Sequence, residues 1–422
     1  MAVWRETTLG EVCDDVDGII QTGPFGSQLH ESDYSPEGIP VVMPKDIIEG
    51  RIATENVARV SPEHVERLSR HKLRKGDIVY GRRGDIGRQA LIRPEQEGWM
   101  CGTGCIRLSF GESVLSPLFL HYYLRQDDLV SWITNQAVGA TMPNLNTGIL
   151  RTVPVRFPPL PVQRRIEGIL SAYDELMENS QRRIRILEAT ARALYREWFV
   201  HFRYPGHEKL PRVAYPLGDI PQGWEVAVLD DVCERVTDGS HSSPKSVDEG
   251  MPMASSKDMH DWGFTMETCR FISREDFDDL VRNDCRPKKN DVLITKDGAN
   301  YLKYIFVNRA EQDVVLLSSI AILRPNARIN PHLLAAILKS PDNRGRLKNY
   351  VTGAAIPRIV LKDFKRFQFV LPSQVVQTEW AKIAEPMTEL CWRLVDQIQN
   401  LRRTRDLLLP RLLSGQMELE TN

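Results

Sequence analysis

The chain has 422 residues, and its 55 Lys and Arg against 56 Asp and Glu leave a formal net charge of −1. That length predicts two or three domains, and 42% hydrophobic content is enough to build proper cores. Near-neutrality does not announce a nucleic-acid binder. The longest apolar stretch, around Val314 to Leu323, is far too short for a bilayer, and the N-terminus lacks a basic-then-apolar signal, so a soluble cytoplasmic protein with no membrane partner is expected. Seven cysteines without a C-x-x-C pair predict inert thiols in a reducing compartment, and no metal site.

In chain order, the first signal is Trp4-x4-Leu9-x2-Val12-Cys13, which returns as Trp224-x4-Leu229-x2-Val232-Cys233. Lys45-Asp46 answers to Lys257-Asp258. From Asp77-Ile78-Val79 and Asp291-Val292-Leu293 onward, a constant offset of 214 maps one half onto the other. Gly84 falls on Gly298, Pro117 on Pro331, Gly139-x3-Pro143 on Gly353-x3-Pro357, and Val162-Gln163 on Val376-Gln377. The chain is therefore two copies of one folding unit, a pseudo-dimer suited to a target that is itself roughly two-fold.

Within each copy, short apolar runs broken by Gly, Pro, Asp and Asn predict strands, such as Ile39–Val42, Asp77–Tyr80 and Asp291–Ile294. A shorter helical segment follows near Pro117 to Trp132 and near Pro331 to Arg346. Each copy then ends in a long apolar seam. The first runs Ile169, Tyr173, Leu176, Ser180, Ile184, Leu187, Ala191, Leu194 and Trp198. The second runs Ile383, Met387, Leu390, Leu394, Ile398, Leu401, Arg405, Leu408 and Leu412. Both step 4, 3, 4, 4, 3, 4, 3, 4, the spacing of two long helices in matching phase. Pro205-Gly206 is expected to end the first, and Pro410 to kink or shorten the second. Connectivity favours antiparallel packing, with a lobe at each end of a rod.

The fold class predicted is α+β: two homologous mixed α/β domains joined by two long antiparallel coiled-coil helices, an internal repeat with a pseudo-two-fold. The boundaries are domain 1 at 1–157, helix 1 at 158–203, a linker at 204–222, domain 2 at 223–371, helix 2 at 372–415 and a tail at 416–422.

A search for catalytic signatures is unproductive. There is no Gly-Lys dipeptide for a phosphate-binding loop, His30-Glu31 and His207-Glu208 lack the second His of a zinc-protease helix, and no N-P-P-[FY] or D-P-P-[YF] run is present. Asp291-x4-Lys296 is only a faint match to a metal nuclease. Binding rather than turnover is expected.

The polar, Gly-rich loops supply the candidates. In domain 1 these are Gln21, Thr22, Ser27, Gln28, Lys45, Arg82, Arg83 and Arg88; in domain 2, Ser240, His241, Ser242, Lys245, Lys257, Lys296, Asn300 and Tyr301. Arg, Gln and Asn side chains can pair with base edges in the major groove, while Lys and backbone amides suit phosphates. Between His64 and Arg93, nine Lys and Arg face three acids, a local +6. A charge run is usually a solvated face, but basic runs recurring beside a repeat boundary favour a phosphate-facing surface.

Taken in order, Thr22-Gly23-Pro24-Phe25-Gly26-Ser27, Gly76-Asp77-Ile78-Val79, Gly139–Asn146, Pro158-Pro159-Leu160-Pro161, Asp238-Gly239-Ser240-His241, Lys296-Asp297-Gly298 and Leu409–Gly415 resemble the specificity subunit of a Type I DNA restriction-modification system. The departures are Asn290 where Gly is usual and Val375 where the first copy has Pro161. The resemblance implies two target-recognition domains, each reading half of a bipartite, asymmetric duplex DNA site. It also implies helices that space the domains and dock two methyltransferase subunits, with restriction/translocase subunits joining through them. No cofactor is implied in this chain; S-adenosylmethionine would bind the methyltransferase subunits. The competing readings are a fused methyltransferase or nuclease chain, and a coiled-coil adaptor that never touches DNA.

Overall fold

A computed structural model describes residues 3–84, 86–111, 114–137, 144–215, 218–353 and 356–417. Asp85 and the Gly139–Pro143 segment named above lie outside the described residues. The chain divides into two compact units, one of residues 1–178 with 399–422, the other of residues 179–398.

Unit 1 closes on itself at its two ends. Strand Arg5–Thr8 pairs antiparallel with Pro154–Phe157, the strand that immediately precedes the first long helix. Thr8 then caps helix Leu9–Asp15 through a capping box with Glu11. The central sheet runs in the order Ile19–Thr22, Cys105–Ser109, Ile78–Gly81 and Gln89–Leu91, antiparallel throughout. Ile78–Gly81 is buried on both faces, which is why it reads as a continuous apolar run rather than an alternation. A second sheet carries Ile39–Val42 between Met100–Cys101, which runs parallel to it, and Ala58–Val60.

Unit 2 repeats this plan. Glu225–Val228 pairs with Gln368–Leu371, and the central sheet runs Cys233–Asp238, Ile320–Pro325, Val292–Thr295, Ile305–Val307. Met251–Ala254 is flanked by antiparallel Arg270–Ile272 and parallel Val315–Leu316. The turn before the buried central strand needs a left-handed residue in both units. Gly76 supplies it at φ 85° and Asn290 at φ 72°, so the Gly-to-Asn departure keeps the turn. The opening motif is core: Leu9, Val12, Cys13, Leu229, Val232, Cys233 and Trp224 are buried, and Trp4 packs on the unit 1 core at its edge. All seven thiols are buried and free of disulfides.

Polar brackets repeat in the two units. Asp77 accepts from the Arg74 amide at 2.8 Å and pairs with Arg107 at 2.6 Å; Asp291 accepts from the Lys288 amide at 2.8 Å and pairs with Arg324 at 2.9 Å. Gln163 and Gln377 are buried at the start of the long helices. Gln163 accepts from the Ser116 amide (2.8 Å) and donates to the carbonyls of Val114 (2.9 Å) and Pro158 (2.8 Å). Gln377 accepts from the Asn330 amide (3.0 Å) and donates to those of Arg328 (3.0 Å) and Pro372 (2.9 Å). Each glutamine ties the helix start to the turn that launches a helix beginning at Pro117 or Pro331.

The long helices span Leu160–Tyr195 and Gln374–Leu413, 36 and 40 residues, or roughly 54 and 60 Å at 1.5 Å per residue. In unit 1, Ile166 and Leu170 share a core with Leu409, Leu412 and Leu413, and Asp174 pairs with Arg405. In unit 2, Ile184 packs with Cys391 and Leu394, and Phe199 meets Trp380 with ring centres 5.7 Å apart. Within each unit, the partners of later residues in one helix are earlier residues in the other, so the pairing is antiparallel.

Four details differ from the sequence expectation. The early part of each seam lies one residue further on: Leu170 and Met177 are buried where Ile169 and Leu176 were expected, and Ala384 and Cys391 where Ile383 and Leu390 were expected. Leu176 is 49% exposed and Ile383 40%. From Ser180 and Leu394 onward the expected positions hold: Ser180, Ile184, Leu394, Arg405 and Leu412 are buried, and Leu187, Leu194, Ile398 and Leu401 are half-buried, as are Tyr173 and Met387. The first helix widens into a π-turn at Arg196–Val200 that buries Trp198 and Phe199, and Phe202 turns the chain at φ 59° before Pro205 is reached. The second runs through Pro410 to Leu413, because Leu409, Leu412 and Leu413 anchor that last stretch in the unit 1 core. Residues 204–222 are not a bare linker either; they hold the hairpin Arg212–Tyr215 and Gly218–Pro221.

The seams are not chemically equal. In unit 1, burial works to raise Asp174, but its bonds to Arg405 and Tyr122 and the charge of Arg125 hold it below the usual carboxylate range. The positions 214 away from Asp174 and Arg405 are Thr388 and Ala191, and there unit 2 opens a cavity of about 800 Å³ bordered by Trp392, His332 and Lys339.

Gln163→Leu should strand a buried amide and two carbonyls and destabilise the protein by about 2–4 kcal/mol, since each buried unsatisfied group costs about 1–3 kcal/mol. Gln377→Leu should cost a similar amount, both read by urea unfolding. The buried histidines set a pH dependence. Burial lowers His121 to about 3, and burial with Arg70 lowers His71 to about 4. Both therefore sit below their unfolded value, so stability is complete above about pH 6.5 and falls as pH drops toward the folded values. At pH 5 each should cost on the order of 2 kcal/mol. His121→Gln should shrink the difference in urea midpoint between pH 7.5 and pH 5; an unchanged difference would refute the assignment.

Candidate nucleic-acid interface

In both units the chain crosses one edge of the sheets repeatedly, and glycines let the crossings touch. A Cβ on Gly23 would lie 2.0 Å from the Gly102 carbonyl, and one on Gly102 would lie 2.4 Å from the Val42 carbonyl and from Met43 Sδ. A Cβ on Gly104 would press against Pro44 at 2.8 Å. Backbone bonds close the cluster: the Gly23 amide to Cys105, Arg82 to Gly104, and Leu145 to Arg82. The segments around 22–23, 42–44, 81–82, 102–105 and 144–145 thus meet at one edge. Side chains larger than glycine would part them.

Unit 2 builds the same cluster. A Cβ on Gly239 would lie 2.2 Å from the Leu316 carbonyl. The Ser240 amide bonds to Leu316, Ser318 to Ser240, Lys296 to Ser319 and Ile359 to Lys296, the last being the counterpart of Leu145 to Arg82. An isolated bridge joins Arg83 to Asn144 in unit 1 and Asp297 to Arg358 in unit 2, again 214 apart. The scaffold is common and the side chains it presents differ.

Of the residues expected at this surface in unit 1, Ser27, Lys45, Arg83 and Arg88 are exposed. Gln21 and Thr22 lie half-buried in the edge strand, and Gln28 accepts from the Phe25 amide at 3.2 Å. Arg82 is committed inward: its Nε donates to Asn144 Oδ1 at 3.1 Å and to the Leu145 carbonyl at 3.2 Å. In unit 2, His241, Ser242, Lys245 and Lys257 are exposed, while Asn300 and Tyr301 are half-buried in and beside a short turn.

Two residues need correction. Lys296, expected to face a phosphate, is 4% exposed and ion-paired to Asp238, with Asp297 3.9 Å away. Ser240 is buried, its hydroxyl closing a turn with Ser242. Burying an ammonium demands a partner, and Asp238 supplies it from 58 residues away. Both residues shape the loop rather than present donors. Sequence reasoning missed the Gly102–Gly104 crossing, the Ser318–Ser319 turn and Arg358, whose side chain is 62% exposed. Burial raises the Asp297 carboxyl, with Lys296 and Arg358 pulling the other way.

Among the described residues no helix is long and apolar enough to cross a membrane. The sequence profile described as the Type I restriction modification DNA specificity domain matches residues 1–189 and again 221–401. The chain is 24% identical to the specificity subunit of Type I restriction enzyme MjaIX from Methanocaldococcus jannaschii, covering 99% of this chain and 97% of that one. It is 19% identical to the HindI specificity subunit of Haemophilus influenzae, over 99% and 100% of the two chains. In fold it is similar to the crystal structure of a Type I restriction-modification S subunit from M. genitalium, with a TM-score of 0.59 and 17% identity over 100% and 97% of the chains. A duplicated profile, two equivalent loop clusters and full-length relatives agree: the chain belongs to the Type I restriction-modification DNA specificity family.

Proposed function

We propose that residues 1–157 and 223–371 each read one half of a bipartite, asymmetric duplex site. The chain itself performs no catalysis. The observation that carries this reading is the pair of loop clusters closed by equivalent backbone bonds, Leu145 to Arg82 and Ile359 to Lys296, and differing in side chains. Two readers of different sequence on one frame need that combination. Exposed Lys45, Arg83 and Arg88 in one cluster, and Lys245, Lys257 and Arg358 in the other, suit phosphates and base edges.

The long helices, in the same proposal, set the unread gap between the half-sites and carry two methyltransferase subunits, through which restriction subunits join. S-adenosylmethionine chemistry belongs to those partners. A duplex presents equivalent groove faces only at integral turns, about 34 Å or a multiple apart, so helix length is a constraint on spacer length.

Replacing residues 1–157 with the corresponding domain of a relative should change one half of the motif methylated in cells and leave the other half intact. Methylome sequencing of cells carrying the chain with its methyltransferase partners reads this directly; a change in both halves, or in neither, would sink independent readout. Inserting one heptad into both long helices should lengthen the unread spacer in the same assay, and an unchanged spacer would refute the ruler.

A further inference from the structure

The bridge that closes each loop cluster holds its exposed guanidinium on opposite strands in the two units. In unit 1 the bridged residues are Arg83 and Asn144, and in unit 2 they are Asp297 and Arg358. By the offset of 214, Arg83 corresponds to Asp297 and Asn144 to Arg358. The cation has changed sides of one bridge.

A second difference lies one strand away. Thr22 faces Ile106, which faces Tyr80; Asp238 faces Ala321, which faces Ile294, the residue 214 beyond Tyr80. Thr22 and Asp238 therefore occupy one place. In unit 2 Asp238 draws Lys296 inward. In unit 1 Thr22 offers no charge, and Arg82 spends its Nε on Asn144 and the Leu145 carbonyl instead. Asn144 is thereby held, and Arg83 is left exposed with no acid against it among the described residues. In unit 2 Arg358 stands out instead, its Nε 3.5 Å from Asp297 Oδ1. That contact uses only the inner nitrogen. Asp297 Oδ1, itself buried, has no hydrogen-bond donor among the described residues. The result is an exposed guanidinium whose inner nitrogen lies beside a carboxylate oxygen.

Resting on the DNA-reading function proposed above, we infer that Arg358 and Arg83 are equivalent specificity-determining residues, each reading one guanine of its own half-site through a forked pair of bonds to O6 and N7. A planar guanidinium fork matches the two acceptors on guanine's major-groove edge, and no other base presents that pair. A lysine at the same place keeps the charge and loses the fork.

The test is methylome sequencing of cells carrying the full chain with its partners, for Arg358→Ala, Arg358→Lys, Arg83→Ala and Arg83→Lys beside the wild type. Both Arg358 variants should relax one guanine position in the half-site that tracks residues 223–371, discrimination there falling about tenfold to a hundredfold, with the other half-site strict. The Arg83 variants should do the same in the half-site that tracks residues 1–157. An Arg358→Ala complex that methylates every site more slowly with its motif intact, and is rescued by Arg358→Lys, would mark a phosphate contact and overturn the inference. So would no change, or relaxation at a position that is not guanine. Failure of the underlying reading is separately visible: the wild-type chain would then yield no bipartite motif. Should Arg358→Ala fail to assemble, Arg358→Lys decides alone.

Discussion

Everything in each half depends on closing the lobe at the point where a long helix leaves it. The first strand pairs with the last, Arg5–Thr8 on Pro154–Phe157 and Glu225–Val228 on Gln368–Leu371, so chain entry and exit sit side by side. One buried amide side chain, Gln163 or Gln377, then bonds the helix start to the turn before the neighbouring helix. Each glutamine meets three backbone groups, which would otherwise be costly orphans away from water. A lobe closed this way transmits its orientation to the helix rather than to a loose hinge. The repetition of all three bonds at an offset of 214 shows that the bracket was duplicated intact.

The duplication explains what the sequence reveals and what it conceals. Repeated fragments fixed the register, the buried strands and the antiparallel helices, because core residues and turns tolerate little change in type. The seam slipped by one residue in its early half for a physical reason. Periodicity favours large aliphatics, and Ile383 and Leu390 outweigh their neighbours Ala384 and Cys391 on any hydrophobicity scale. In the second helix the face that is covered nonetheless holds the small residues, and Ile383 is left exposed. The slip occurs at matching places in both copies, as expected if packing rather than local composition chose the face.

The loops were legible as a surface and much less so residue by residue. Their glycines marked close crossings, and the structure shows what each glycine avoids. Charge at a position, however, says nothing of direction. Lys296 and Arg82 read as phosphate or base contacts, yet both are turned inward, one by an aspartate 58 residues earlier and the other by an asparagine 62 residues later. Arg358 was invisible because its role arises from a bridge to Asp297, a pairing that no local pattern encodes.

Those long-range partners also divide the labour between the halves. The quartet Thr22, Arg82, Arg83 and Asn144 carries two positive charges and no negative one, whereas Asp238, Lys296, Asp297 and Arg358 carry two of each. Charge alone draws a polyanion without regard to sequence, and its pull weakens as salt rises. A compensated quartet gives up that pull and keeps the directional part, the fork whose geometry only one base edge matches. Both units thus present one guanidinium at the same bridge, but in unit 2 it stands beside an acid that offsets its long-range field. The divergence of the two copies is therefore more than a change of letters in the loops: an acid at the place of Thr22 pairs with the inward lysine, and the cation at the bridge stands on the other strand beside a second acid.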